Sequence, residues 1–178
     1  MVKNYVALQE LRNYAEENNV PIMTTEGINF LTSYIIKHDI KKILEIGSAI
    51  GYSAIMMALA NPNAEITTIE RDEKRYLEAV KNVKKFNLED RINLIYNDAL
   101  DVKINGEFDL IFIDPPYRFE YGKKALEKIA QKGLLSENGI AVYERDRPFE
   151  GKIDGLEQYD ERKYGKTYLT FFRRERNG

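Results

Sequence analysis

Four short stretches of this chain place chemically useful residues at regular intervals. The first is Leu44-Glu45-Ile46-Gly47-Ser48-Ala49-Ile50-Gly51-Tyr52-Ser53, where two glycines flank a turn that follows an apolar run. Gly47 lets the backbone turn sharply, and Gly51 permits close approach of a ligand or of a helix to a strand. N–H groups at the start of the following helix then face the carboxyl ends of the strands, where open α/β sheets bind ligands. The second is Glu70, 23 residues after Gly47. A carboxylate there can accept hydrogen bonds from both hydroxyls of a ribose, or it can cap a helix beside Arg71 and Asp72. The third is Asp98-Ala99, a second acid at a strand tip, which can equally be an N-cap for the stretch after it. The fourth is Asp114-Pro115-Pro116-Tyr117, a carboxylate, a carbonyl stiffened by two prolines, and an aromatic ring able to stack on a flat base. Its plainer reading is a turn plugged by an aromatic side chain.

The elements that must position these residues follow from periodicity. Residues 4–18 carry Tyr5, Leu8, Leu11 and Ala15 at helical spacing, and a second helix runs from Thr24-Thr25, plausible N-caps, to about His38. Strands are expected at 41–46, 64–70, 92–96, 108–113 and 139–143, and helices at 51–60, 72–86 and 120–131. Apolar strands separated by helices of this length imply βαβ units and a parallel sheet. Leu156–Tyr164 and Thr167–Arg173 are joined only by Gly165-Lys166, which marks an antiparallel hairpin. The expected fold is therefore α/β, doubly wound and Rossmann-like, with a seven-stranded, mostly parallel sheet closed by a C-terminal antiparallel hairpin.

Bulk properties narrow the function. The chain has 178 residues, a length that fits one domain, and 43% hydrophobic residues, enough for a sizeable core. Its charged residues, 31% of the total, nearly cancel to a formal net charge of -2, which argues against indiscriminate nucleic-acid binding but leaves room for a local RNA-gripping patch. There is no cysteine and His38 is the lone histidine, so thiolate chemistry and multi-histidine metal sites are excluded. No window is long and apolar enough for a membrane span, and the first twenty residues lack the apolar run of a signal peptide. The expectation is a cytoplasmic protein, not a membrane one, acting as a monomer or homodimer.

The glycine turn, spaced G-x-x-x-G with an acid two places before the first glycine, is a poor match to the G-x-G-x-x-G of dinucleotide-binding folds. It resembles instead the first motif of class I S-adenosylmethionine-dependent methyltransferases, in the form used by small O-methyltransferases related to catechol O-methyltransferase. That resemblance implies that Glu45 and the Gly47 loop, through Ser48, Gly51, Tyr52 and Ser53, hold the amino-acid end of S-adenosylmethionine. It further implies that Glu70, with Arg71 beside it, meets the ribose, that Asp98 and the Ala99 backbone meet the adenine amino group and its surroundings, and that Asp114 belongs to the cofactor site as well. Ala49 stands where many related families place glycine. Upstream, Met23-Thr24-Thr25-Glu26-Gly27 resembles the segment these enzymes fold over the methionine portion, with Met23 near the sulfonium and Glu26 near the first motif; a loop with an N-cap is the simpler reading. On this basis residues 1–38 form helices covering the cofactor site, and 39–178 the core of a single methyltransferase domain.

The Asp114-Pro115-Pro116-Tyr117 stretch resembles the [N/D]-P-P-[Y/F] motif of methyltransferases that act on exocyclic amines. An exocyclic amine is a weak nucleophile because its lone pair is conjugated with the ring. The Asp114 carboxylate and Pro115 carbonyl can accept its two N–H bonds and aim the lone pair, so rate comes from positioning rather than from a strong base. Residues from about 107 to 176 resemble the 16S ribosomal RNA guanine-N2 methyltransferases, whereas residues from about 1 to 106 resemble the small O-methyltransferases, especially the tRNA 5-hydroxyuridine branch. Neither pattern is complete. Tyr143-Glu144-Arg145-Asp146 lacks the Asp-Asn pair with which those O-methyltransferases hold a divalent metal, so no metal is expected. The basic N-terminal segment of the guanine enzymes is also missing. Arg145, Arg147, Arg162, Lys163, Arg173, Arg174 and Arg176 can form a phosphate-binding face or a merely solvated one. Three expectations follow from the mixture: methylation of an exocyclic base amine in rRNA or tRNA, methylation of a hydroxyl, or a chimera of two methyltransferase halves that binds the cofactor without efficient catalysis.

Overall fold

The computed structural model describes residues 2–114 and 119–176. Pro115, Pro116 and Tyr117 lie outside the described residues. Two helices come first, α1 (Val2–Glu17) and α2 (Thr25–His38). Thr24 caps α2 by accepting from the Gly27 N–H at 3.2 Å, as its residue type foretells. Strand and helix then alternate: β1 (Lys42–Ile46), α3 (Tyr52–Ala60), β2 (Glu65–Glu70), α4 (Glu73–Lys85), β3 (Ile92–Tyr96), β4 (Phe108–Ile113), α5 (Phe119–Gln131) and β5 (Leu135–Arg145). Helix α4 shows why such a charged segment is helical. Asp72 caps it through the Arg75 N–H, Glu73 sits in its first turn, and Lys84 and Lys85 close its last, each charge opposing the nearby end of the helix dipole.

The sheet has the order β3-β2-β1-β4-β5-β7-β6, where β6 is Leu156–Tyr164 and β7 is Thr167–Arg174. The first five strands are parallel, and β7 enters antiparallel beside β5 with β6 outside it. The order reverses between β1 and β4, the point where open sheets leave a crevice at their carboxyl ends. Alternate residues serve opposite layers. Ile43, Leu110, Phe112 and Val142 join the core shared with α2 and α3, while Leu44, Ile46, Ile111, Ile113 and Ala141 join the core shared with α5. Burial on both faces explains why these strands read as nearly unbroken apolar runs.

One element is longer than its sequence indicates. The predicted strand 139–143 extends to Leu135–Arg145. Between Leu135 and Ile140, β5 advances five residues while β4 advances two, from Phe108 to Leu110. Ser136, Glu137 and Asn138 form this irregularity, which Ser136 steadies by donating to Asp109 Oδ1 at 2.9 Å. Polar residues at a bulge read as loop, which is why the pattern hides the strand's beginning. Among the described residues, no helix is long and apolar enough to cross a membrane.

Candidate active site

The glycine turn joins β1 to α3 at the sheet's order reversal. Gly47 has φ of 99° and Gly51 of 90°, values that side chains other than glycine's adopt only under strain. The Gly47 and Ser48 N–H groups both donate to Ile69 O, at 2.9 and 3.2 Å, pinning the turn to the end of β2. Ala49 is also left-handed, with φ of 46°, and its N–H donates to Glu70 Oε1 at 2.8 Å. The Asp114 N–H donates to Ile46 O at 2.9 Å, so the end of β4 is fixed beside the same turn.

Glu45 lies underneath. It is fully buried, and its carboxyl accepts from the Ser53 hydroxyl on α3 and from Thr68 Oγ1 on β2 at 2.7 Å. Both oxygens are therefore engaged by protein, and Glu45 links β1, β2 and α3. Glu70 is 5% exposed. Besides Ala49, it accepts from the Asp72 N–H at 3.0 Å, while the cap of α4 is Asp72. Ser48 bonds Thr68, and the buried Tyr52 receives a hydrogen bond from Arg12 of α1 at 2.9 Å. Met23 is buried in the core on the α2 side, where its Cε lies against Gly27.

At the neighbouring strand tip, Asp98 does cap its own loop, accepting from the Leu100 N–H at 2.9 Å. It also faces Arg71 at 3.8 Å. Ala99 and Leu100 are held in place by Lys128 of α5, whose Nζ donates to the carbonyls of Ala99, Leu100 and Val102 at 3.1, 2.9 and 2.8 Å. Tyr121, also on α5, reaches both Asp98 and Ala99. Sequence reading missed Tyr121. The one signal for it was an aromatic residue in the opening turns of the helix that follows the Asp-Pro-Pro stretch.

β4 and β5 pair Ile113 with Tyr143, so Asp114 and Glu144 follow as neighbours at adjacent strand ends. Oε2 of Glu144 is buried and has no hydrogen-bond partner among the described residues. Burial, then the charges of Glu144 and Glu70, hold the Asp114 carboxyl well above the usual carboxylate range, with Arg75 opposing. Burial and the charge of Glu45 push Glu144 up to about 7. Burial likewise pushes Glu45 up to about 7, against the pull of the Ser53 and Thr68 hydroxyls. Glu45, Glu70, Asp114 and Glu144 thus form an acidic cluster at the carboxyl ends of the strands.

These shifts set the pH dependence of stability. A carboxyl whose folded value lies above its unfolded one holds a proton in the native state that the unfolded chain has already lost. Stability therefore falls as pH rises from about 4.5 to about 7, the window between the ordinary and shifted values of Glu45. Thermal melts across that window should show the decline, and Glu45→Gln should lessen its slope, the remainder coming from Glu144 and Asp114. Parallel profiles for the two proteins would show that Glu45 is not its source.

The remaining sequence-based candidates fare unevenly. Gly47, Glu70, Arg71 and Ala99 border one small cavity; Ser48 and Asp114 donate to the carbonyls of its lining residues Ile69 and Ile46, while Glu45 and Ser53 bond each other outside that lining. Among the described residues, no group of three or more His, Cys, Asp and Glu side chains is arranged to hold a metal ion. Several of the basic residues proposed for phosphate are committed elsewhere: Arg147 pairs with Asp146, Arg162 with Asp160, Arg173 with Glu157 and Arg174 with Glu107. That pairing favours a solvated charged surface over a strong phosphate grip.

Sheet order, glycine turn and the acids at successive strand tips give this chain the fold of class I methyltransferases. The chain belongs to the family described as Conserved hypothetical protein 95, whose profile matches residues 36–173. One profile thus spans both halves that resemble different enzymes. Over 96 residues the chain is 33% identical to the tRNA1(Val) (adenine(37)-N6)-methyltransferase of Actinobacillus pleuropneumoniae, a match covering 53% of this chain and 40% of that protein. Over 105 residues it is 38% identical to the catechol O-methyltransferase of Niastella koreensis, covering 53% of this chain and 47% of the relative. It therefore spans less than half the length of these curated relatives. The SAH-bound Podospora anserina methyltransferase PaMTH1 superposes with a TM-score of 0.83, covering 96% of this chain and 88% of that one. At 21% identity that likeness concerns the fold.

Proposed function

We propose that this protein transfers the methyl group of S-adenosylmethionine to an exocyclic amine of a purine in RNA. The observation that carries the reading is the placement of Asp114, hydrogen-bonded through its N–H to Ile46 O beside the glycine turn and followed in sequence by Pro115-Pro116-Tyr117. The donor set suits the cofactor. A sulfonium and an ammonium group are both cationic, and Glu45, Glu70, Asp114 and Glu144 influence one another's charge within one crevice. The Gly47 loop would hold the amino-acid end, Glu70 the ribose, and Asp98 with Ala99 the adenine. When bound, the cofactor supplies an electrophilic methyl group.

The chain's own residues then have to present the acceptor. In its ionised form the Asp114 carboxylate accepts one amine N–H, and the Pro115 carbonyl is suited to accept the other. Tyr117 offers a ring on which the base can stack. Such a transfer requires no strong base, because the amine proton leaves only as the nitrogen acquires positive charge. The relative that modifies adenine N6 supports a base amine as acceptor, and the resemblance of the C-terminal half points to guanine N2.

A second reading, transfer to a hydroxyl, is favoured by the unpartnered Glu144 Oε2, which could take a hydroxyl proton beside Asp114. Incubation with labelled cofactor and total RNA, followed by nucleoside identification, separates the two. We expect label in a purine methylated on its exocyclic nitrogen. Label found only in ribose, in hydroxyuridine or in catechols would overturn the amine assignment.

A further inference from the structure

We propose that Tyr121 is a built-in stand-in for adenine, which fills the base site of the ligand-free protein and sets how tightly the nucleoside binds. The inference rests on the reading of Asp98 and Ala99 as the adenine-recognition pair. The Tyr121 hydroxyl donates to Asp98 Oδ1 at 2.8 Å and accepts from the Ala99 N–H at 3.2 Å. Along its pairing edge an adenine offers the same two functions side by side, an exocyclic N–H donor and a ring-nitrogen acceptor. A single phenol therefore satisfies both protein groups that the base would need.

The surroundings agree. Burial, and then the hydrogen bond to Asp98, push the Tyr121 pKa above its ordinary value, so the phenol keeps the proton it donates. The Arg71 guanidinium stands 5.1 Å over the tyrosine ring and 3.8 Å from Asp98, tying the three side chains together. The cavity bordered by Gly47, Glu70, Arg71, Asn97, Ala99 and Tyr121 measures only about 10 Å³. That is room for about one water and not for a purine. Lys128 clamps the 99–102 backbone through three carbonyls. The Tyr121 side chain is consequently the part that gives way when a base enters, and the hydrogen bonds it surrenders are subtracted from those the base gains.

The test is calorimetric titration of the full chain and of Tyr121→Phe with S-adenosylhomocysteine and with its inosine analogue, in which an oxo group replaces the amino group. Phenylalanine takes the acceptor from the Ala99 N–H and one donor from Asp98, which keeps Leu100 and Arg71, so the variant's melting temperature without ligand should fall. The same change should tighten S-adenosylhomocysteine binding by about fivefold, the size of one net hydrogen bond. A tyrosine with a merely structural role would lower stability and affinity together, so equal or weaker binding overturns the proposal. Should the variant not fold, the unaltered protein still decides: saturation with S-adenosylhomocysteine must produce a tyrosine ultraviolet difference band, and a flat spectrum overturns it. Failure of the underlying adenine reading looks different, because the unaltered protein would then bind both analogues equally or bind neither.

Discussion

Replacing Asp114 with alanine is expected to lower transfer to an RNA amine by about a hundredfold or more, the usual scale for losing an acceptor placed at the reacting atoms. S-adenosylhomocysteine affinity should stay within about threefold, since the carboxyl's task is to orient the acceptor and the cofactor keeps its other contacts. The backbone of residue 114 would not move far, because its N–H donates to Ile46 O whatever the side chain. Asp114→Asn should keep much more activity than alanine, because its amide oxygen still accepts the amine N–H and the [N/D]-P-P-[Y/F] pattern admits asparagine at this position. The unaltered enzyme should also gain activity as pH rises, because burial and the charges of Glu144 and Glu70 keep Asp114 protonated beyond the ordinary carboxylate range. The asparagine variant should lose that rise. An equal loss of transfer and of cofactor binding would mean that Asp114 does not orient the acceptor.

The second large effect concerns a glycine inside a helix. Gly122 follows Tyr121 on α5, and a β-carbon there would overlap the ring and hydroxyl of Tyr143 on β5. Tyr143 is buried and edge-on to Phe149, so displacing its ring disturbs the packing around it. In an exposed helix, alanine in place of glycine would stabilise by about 1 kcal/mol. At Gly122 the overlap reverses the sign, and Gly122→Ala should cost about 1–3 kcal/mol. Denaturant unfolding measures it directly. Adding Tyr143→Leu should return part of the loss, as neighbours in contact do in a double-mutant cycle. An alanine variant as stable as the parent would mean that α5 can draw away from β5 at no cost.

Much of this architecture was legible in the residues. The glycine turn, the Thr24 cap and the two-residue link between Tyr164 and Thr167 each obey local chemistry, and local chemistry is what a sequence displays. The start of β5 was hidden because Ser136, Glu137 and Asn138 are stabilised across a bulge by β4, not by their neighbours. The acids at the strand tips were found, but their partners were not. Thr68 and Ser53 on Glu45, Ala49 on Glu70 and Tyr121 on Asp98 are contacts across 8 to 23 residues of chain. Periodicity carries no trace of such pairings. Glu45 illustrates the difference: its position before the turn was clear, whereas its complete burial came from the packing of α3 and β2 above it.

The crowding of Glu45, Asp114 and Glu144 has a consequence for ligand uptake. Each keeps a proton to higher pH than an isolated carboxyl would. On the proposed reading, a cationic guest settling beside Asp114 and Glu144 would make the charged forms of this cluster cheaper, so near neutrality its arrival is expected to release protons into the medium. Occupancy of the crevice and acidity of the solution are thereby joined: alkaline conditions favour loading, acidic conditions favour departure, and a neutral sulfur left after transfer gives those protons reason to return.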